Sequence, residues 1–234
     1  MSNGMPKQSA SSPSSFRLIA TLAGVAVMSG FLVATTHQLT MEPILQNRRA
    51  ALEKAVFEVL PEASERRNFR IDEAGLQPLP DDALARANVF AGYDDQGRLT
   101  GVALEGSARG YQDVVKILYG YVPETEKVTG MTVLQSSETP GLGDRVETDP
   151  DFLANFNALE AGLDESGTGL AHDIVTVKHG DKEHPWQIDA ISGATVTCKA
   201  IGKAINTSAA GKLPVLQKHL HKLHEASPEE GGTL

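Results

Sequence analysis

Cysteine is almost absent from this 234-residue chain: Cys198 is its single thiol. That rules out an internal disulfide and any cysteine-rich zinc or iron–sulfur site. Positive charge is also short, with 30 Asp and Glu against 21 Lys and Arg and a formal net charge of −9. Nucleic acid is therefore not an expected partner. His219, His221 and His224 lie near the C-terminus, but only His221 and His224 share a helical face and no carboxylate motif accompanies them. They read as a solvated surface, with no metal site implied. The length leaves room for one sizeable domain and extras, not for a large second domain.

Long apolar runs are limited to one, residues 16–36, free of charge after Arg17 and long enough to cross a hydrocarbon core as a helix. A cleaved signal peptide is the competing reading; the run is long for that, and Ala34-Thr35-Thr36 is a poor cleavage site. Lys7 and Arg17 precede the span while Arg48, Arg49 and Lys54 follow it, so charge alone does not orient it. Residues 1–15 are rich in Ser and Pro and read as disordered. After the span, Thr40 is placed to cap a second helix with Pro43 in its first turn, and Leu45, Leu52, Val56 and Val59 recur on one face until Pro61 ends it.

Residues 62–87 are polar and Pro-containing, reading as loops with at most one short strand. Residues 89–93 and 99–104 flank Asp94-Asp95-Gln96-Gly97, a hairpin signature. Residues 127–134 and 174–178 are further strand candidates, and Lys178, His179, Lys182 and Glu183 read as an exposed hairpin tip. Asp149-Pro150 opens a helix carrying Phe152, Leu153, Phe156 and Leu159, and a closing helix is expected around Leu216, Leu220 and Leu223. In between, Tyr111, Tyr119 and Tyr121 invite an aromatic-stacking role, although core or sheet-surface packing is commoner for such residues. The class is α+β, with a largely antiparallel sheet and flanking helices.

Chemistry concentrates in two segments. Asp189-Ala190-Ile191-Ser192-Gly193-Ala194-Thr195 ends where residues 196–209 begin an amphipathic pattern through Val196, Ala200, Ile201 and Ile205. Thr195 therefore sits at a helix start, where free amides and the dipole favour phosphate, and Gly193 and Ala194 obstruct its hydroxyl least. Ser192 and Thr195 as ordinary capping hydroxyls is the bland alternative. Upstream, Glu138-Thr139-Pro140-Gly141-Leu142-Gly143 specifies a tight turn.

The two segments resemble the D-x-x-[ST]-G-A-T and E-T-P-G-L-G signatures of proteins that carry covalently bound FMN. The resemblance implies that a flavin transferase, with FAD as donor and AMP as leaving group, esterifies the FMN phosphate to Thr195. It further implies a flavin pocket lined by Glu138, Thr139, Leu142, Gly143, Ser192, Gly193 and Ala194. In that pocket Leu142 would cover a ring face, and Glu138 or Thr139 would hydrogen-bond the ring edge or ribityl chain. Asp189, the acidic position of the attachment signature, would help present Thr195 to the transferase or bind its metal ion; a turn-forming aspartate is the alternative.

With the anchor and the Glu42-Pro43-Ile44 stretch, the chain is similar to the G subunits of Rnf-type ion-translocating ferredoxin:NAD oxidoreductases. The C subunits of sodium-pumping NADH:quinone reductases share both motifs, and length favours the former. A flavin-free membrane adaptor is the reading from another class. The resemblance implies an electron carrier in a bacterial inner membrane, with its soluble domain on the periplasmic side. Its partners would be the membrane and soluble subunits of the complex, the transferase and lipid. The expected organisation is a tail over 1–15, a transmembrane helix over 16–36, a connecting helix over 37–61, the FMN-binding domain over 62–225 and a flexible tail over 226–234.

Overall fold

The computed structural model describes residues 15–72 and 75–225. The tails expected at 1–15 and 226–234 lie outside these, apart from Ser15. The chain forms two units that divide after Arg48. Helix α1 (Ser15–Val59) supplies the described part of the first, where one 18-residue window reaches a mean hydropathy of 2.1 with none of it buried. No helix begins at Thr40, which lies inside α1 with its hydroxyl donating to the Thr36 carbonyl at 2.8 Å. Pro43 sits inside the same helix, where it removes one backbone donor without ending the element. The expected break between spanning and connecting helices is thus absent.

The second unit is built on a sheet of β1 (Glu65–Asp72), β2 (Gly75–Leu79), β3 (Val89–Tyr93), β4 (Leu99–Arg109), β5 (Val114–Val122), β6 (Lys127–Gln135) and β7 (Leu159–Glu160). All neighbours pair antiparallel, in the order β2-β1-β3-β4-β5-β6-β7. The β3–β4 hairpin turns as its sequence predicts: the Asp94 carboxylate accepts from the N–H groups of Gln96 and Arg98, and Gly97 has φ +73°. Residues 62–87 hold two strands, where loops with at most one short strand were expected. Polar side chains hid β1, in which only Asn68 and Phe69 are buried.

Asp149 caps α2 (Pro150–Ala154) by accepting from Phe152 N–H at 3.2 Å. That helix stops five residues short of Leu159, which belongs instead to β7. Strands β8 (Val175–Val177) and β9 (Gln187–Asp189) pair parallel, so residues 178–186 form a crossover and not a hairpin tip. Helix α3 (Thr195–Lys218) runs through Pro214 and is separated from α4 (Leu220–Glu225) at His219, which leaves helical geometry at φ −115°, ψ 19°. The single closing helix expected near Leu220 is therefore two pieces.

Strand alternation divides the core between the two faces of the sheet. Tyr93, Leu104, Ile117 and Tyr119 pack with Ile201, Ile205 and Leu216 of α3. On the opposite face Phe90, Ala103 and Leu118 pack with Val56, Val59 and Leu60 at the end of α1. Gly120 permits that second contact, since a Cβ there would collide with the Val59 carbonyl oxygen. Two turns leave this sheet at the ends of β4 and β6, and a third follows β9 of the separate parallel pair.

Candidate functional site

Three turns converge beside the start of α3. The first, between β4 and β5, carries Gly110 to Asp113. The second is Glu138 to Gly143, where Leu142 and Gly143 donate their N–H groups to the Thr139 carbonyl, both at 3.1 Å. Gly141 takes φ +78° there, a conformation that costs glycine little and other residues more. In the third, after β9, Gly193 has φ +89°, and Ala194 N–H donates to the Ile191 carbonyl at 3.1 Å. Helix α3 then opens with Cys198 N–H donating to Ala194 O at 3.0 Å.

The residue at the N-cap position is Ala194, which has no side-chain acceptor, and no side chain caps the helix. Neither Ser192 nor Thr195 is a capping hydroxyl. Thr195 is instead the first helical residue, partly exposed, in the wall of a cavity of about 440 Å³. That volume is of the order that holds small-molecule ligands. Tyr111, Leu142 and Val196 stand on its rim, exposed by 71%, 51% and 52%. Glu138, Gly143 and Thr197 lie beneath them, buried.

Glu138 holds the site together. Its Oε1 accepts from Gln112 N–H at 3.0 Å, and its Oε2 from Tyr111 N–H at 3.2 Å and the Thr197 hydroxyl at 2.5 Å. Burial alone would raise its pKa; the Thr197 hydroxyl and the two amides outweigh that and hold it below the usual carboxylate range. Glu138 is accordingly an anion whose charge is spent on protein donors. Space around it is tight: a Cβ at Gly143 would come within 2.7 Å of Glu138 Cβ, and one at Gly110 within 2.5 Å of Oε1. Gln112 Nε2 adds a bond to Thr139 Oγ1 at 2.7 Å. Among the described residues no Lys, Arg or His lines the cavity, so an anion there would meet helix amides and no cationic side chain.

The structure thus brings Glu138, Thr139, Leu142, Gly143, Gly193, Ala194 and Thr195 to one cavity. Ser192 and Asp189 are elsewhere. They face a separate hollow of about 200 Å³ with Arg145, Asp149 and His179. Asp189 accepts from Gly180 N–H at 2.8 Å, its Oδ2 lies 3.3 Å from His179 Nδ1, and its own N–H donates to Asn155 Oδ1 at 3.0 Å. It fastens the crossover to the loop that precedes α3. Cys198 is fully buried, with its pKa pushed up by that burial, and its sulfur accepts from Ile191 N–H at 3.4 Å.

Sequence reasoning offers Tyr111 only as one of three candidate stacking tyrosines, places Val196 on the packed face of a helix, and gives Thr197 no part in the pocket. Tyr111 was grouped with Tyr119 and Tyr121, which are core residues, and nothing local separates the three. Thr197 lies two residues beyond the Asp189–Thr195 motif, and its partner Glu138 is 59 residues away.

A family model for the FMN-binding domain matches residues 110–210, and one for the RnfG N-terminal region matches residues 15–59. Together they take in more than half of the chain. The G subunit of the ion-translocating oxidoreductase complex of Methanosarcina acetivorans is 27% identical over 192 residues, 82% of this chain and 91% of that one. The G subunit of the Na(+)-translocating ferredoxin:NAD(+) oxidoreductase complex of Acetobacterium woodii is 28% identical over 199 residues, 82% of this chain and 86% of that one. In fold the chain is similar to NqrC of Shewanella oneidensis, with a TM-score of 0.60 at 20% identity over 77% of this chain and all of that one.

Proposed function

We propose, for a chain that belongs to the family of FMN-binding G subunits of ion-translocating oxidoreductase complexes, that it is the membrane-anchored flavoprotein component of an Rnf-type ferredoxin:NAD oxidoreductase, with FMN on Thr195. One observation carries the reading: an uncapped helix opens in the wall of a ligand-sized cavity, and its first residue is the motif threonine.

The residues present fit the group. Gly193 and Ala194 leave the Thr195 hydroxyl accessible, and the first-turn amides of α3 suit a phosphodiester monoanion. Leu142 and Val196 offer apolar surface to a flat ring, and Glu138 fixes the turns that present it. Attachment joins Thr195 Oγ to the FMN phosphorus of FAD, with the hydroxyl proton lost and AMP leaving, in a reaction performed by a flavin transferase. When bound, FMN supplies one- and two-electron redox chemistry, and the chain's part is to hold and orient it. The apolar part of α1 anchors the domain in lipid at the periplasmic face of a bacterial inner membrane. Turnover and ion movement belong to the assembled complex, not to this chain alone.

The test is intact-protein mass and in-gel flavin fluorescence after denaturation of the full chain produced with a competent transferase. The expected result is a mass increment of one FMN and a fluorescent band, both lost in Thr195→Ala. A wild-type chain without covalent flavin sinks the reading, and fluorescence that survives in Thr195→Ala moves the site. If Thr195→Ala leaves both assembly and electron transfer normal, the chain is a flavin-free adaptor.

A further inference from the structure

Among the Phe, Tyr and Trp residues described after Arg48, Tyr111 alone is exposed. A single exposed apolar side chain needs no explanation. Tyr111, Leu142 and Val196 on the rim of one cavity do, because the domain buries its other aromatic rings wholly or in part.

The backbone that carries Tyr111 is held from several directions. Gly110 N–H donates to the Asp113 carbonyl at 2.8 Å, and the N–H groups of Tyr111 and Gln112 donate to Glu138. The same carboxylate takes the hydroxyl of Thr197, two residues beyond Thr195. One anion therefore ties the turn bearing the aromatic ring to the end of α3 that bears the attachment hydroxyl. Leu142 and Val196 supply only aliphatic surface, so the cavity has one aromatic wall.

From this placement we infer that Tyr111 is the residue that stacks on the isoalloxazine ring, an inference resting on the reading of Thr195 given above. An electron-rich phenol and a flat, electron-poor ring favour offset stacking. Phosphate anchoring at Thr195 fixes one end of the cofactor, and stacking on Tyr111 fixes the other.

The experiment uses the full chain in detergent, produced with the transferase, as wild type, Tyr111→Phe and Tyr111→Ala. Flavin fluorescence of each native sample is divided by that of the same sample after denaturation, and the anisotropy of the native flavin is recorded. Both variants keep the turn, since its hydrogen bonds are made by backbone. A stacked phenol quenches the ring, so the native-to-denatured ratio rises severalfold in both variants. Anisotropy stays high in Tyr111→Phe, which keeps a ring to stack on. In Tyr111→Ala it falls, as the loss of one aromatic contact weakens the hold on the flavin by roughly two- to tenfold. Ratios equal to wild type in both variants, with denatured fluorescence intact, overturn the stacking role and leave Thr195 standing. No flavin in denatured wild type removes both.

Discussion

Glu138→Gln keeps the shape of the side chain that braces the cavity and removes its charge. A carboxylate accepts on both oxygens, whereas an amide accepts on one and donates from the other. If the amide oxygen replaces Oε2, the NH₂ group faces Gln112 N–H, donor against donor. If it replaces Oε1, the Thr197 hydroxyl can turn to accept from NH₂, but Tyr111 N–H loses its acceptor. Either orientation leaves one backbone N–H without its acceptor, at a cost of about 1–3 kcal/mol, and the surviving bonds lose their charge assistance, about 1 kcal/mol more. Gly110 and Gly143 pack against Glu138 and restrict relaxation. The expected destabilisation is about 2–4 kcal/mol.

The pH dependence separates this account from a general packing defect. The Glu138 pKa is lowered from an ordinary value of 4.5. A carboxylate depressed in the folded state contributes stability that is present above its unfolded pKa and is lost as pH falls through the folded value. The difference between wild type and Glu138→Gln should therefore be full at pH 7 and shrink as pH falls below 4.5. Urea unfolding of the full chain in detergent, followed by Trp186 fluorescence at pH 7 and at a series of acidic pH values, measures it. Coincident midpoints at pH 7, or a gap that persists unchanged on acidification, would refute the reasoning.

Two further perturbations test the scaffold. Gly120→Ala drives a Cβ into the Val59 carbonyl oxygen, which cannot swing aside as a side chain would; overpacking of this kind should cost about 3 kcal/mol and lower the thermal midpoint by roughly 5–10 °C. Gly211→Ala, in α3 with nothing nearby, is the control and should be neutral or stabilising; equal midpoints for Gly120→Ala and wild type would show that α1 does not dock as closely as described. The second concerns Lys212, whose Nζ donates to the Glu105 and Asn88 carbonyls and whose pKa is lowered to about 8 by burial, partly offset by Glu105. Between that value and its ordinary 10.5 the unfolded chain keeps a proton that the folded chain releases. Stability relative to Lys212→Met should thus rise by about 1 kcal/mol per pH unit from pH 8 to pH 10, read from urea midpoints; a flat difference refutes it.

The parts of the site legible in the sequence are those where a local conformation demands a residue type. Gly141 and Gly193 occupy left-handed backbone, and the small residues before Thr195 mark a helix start that needs access. Elements read from strong local signals also stand, as at β3 and β6 and the Asp94 turn. What stayed hidden depends on distant partners. Tyr119 and Tyr121 differ from Tyr111 because β5 carries the first two into the core, while the turn before it leaves the third on the rim. The 59-residue reach between Glu138 and Thr197 leaves no mark in either segment.

The same cause accounts for the acidic residues. Motif reasoning aims Glu138 at the cofactor and reads Asp189 as a transferase contact or a turn-former; in the structure both carboxylates accept from backbone N–H groups of neighbouring loops. Such an arrangement has an electrostatic consequence for the proposed site. A free carboxylate beside the start of α3 would repel a phosphodiester and cancel the favourable field of the helix amides. With its charge held by three donors and its oxygens turned toward the 111–112 backbone and Thr197, Glu138 fixes the geometry of the cavity while opposing an anion at Thr195 far less than a free carboxylate would.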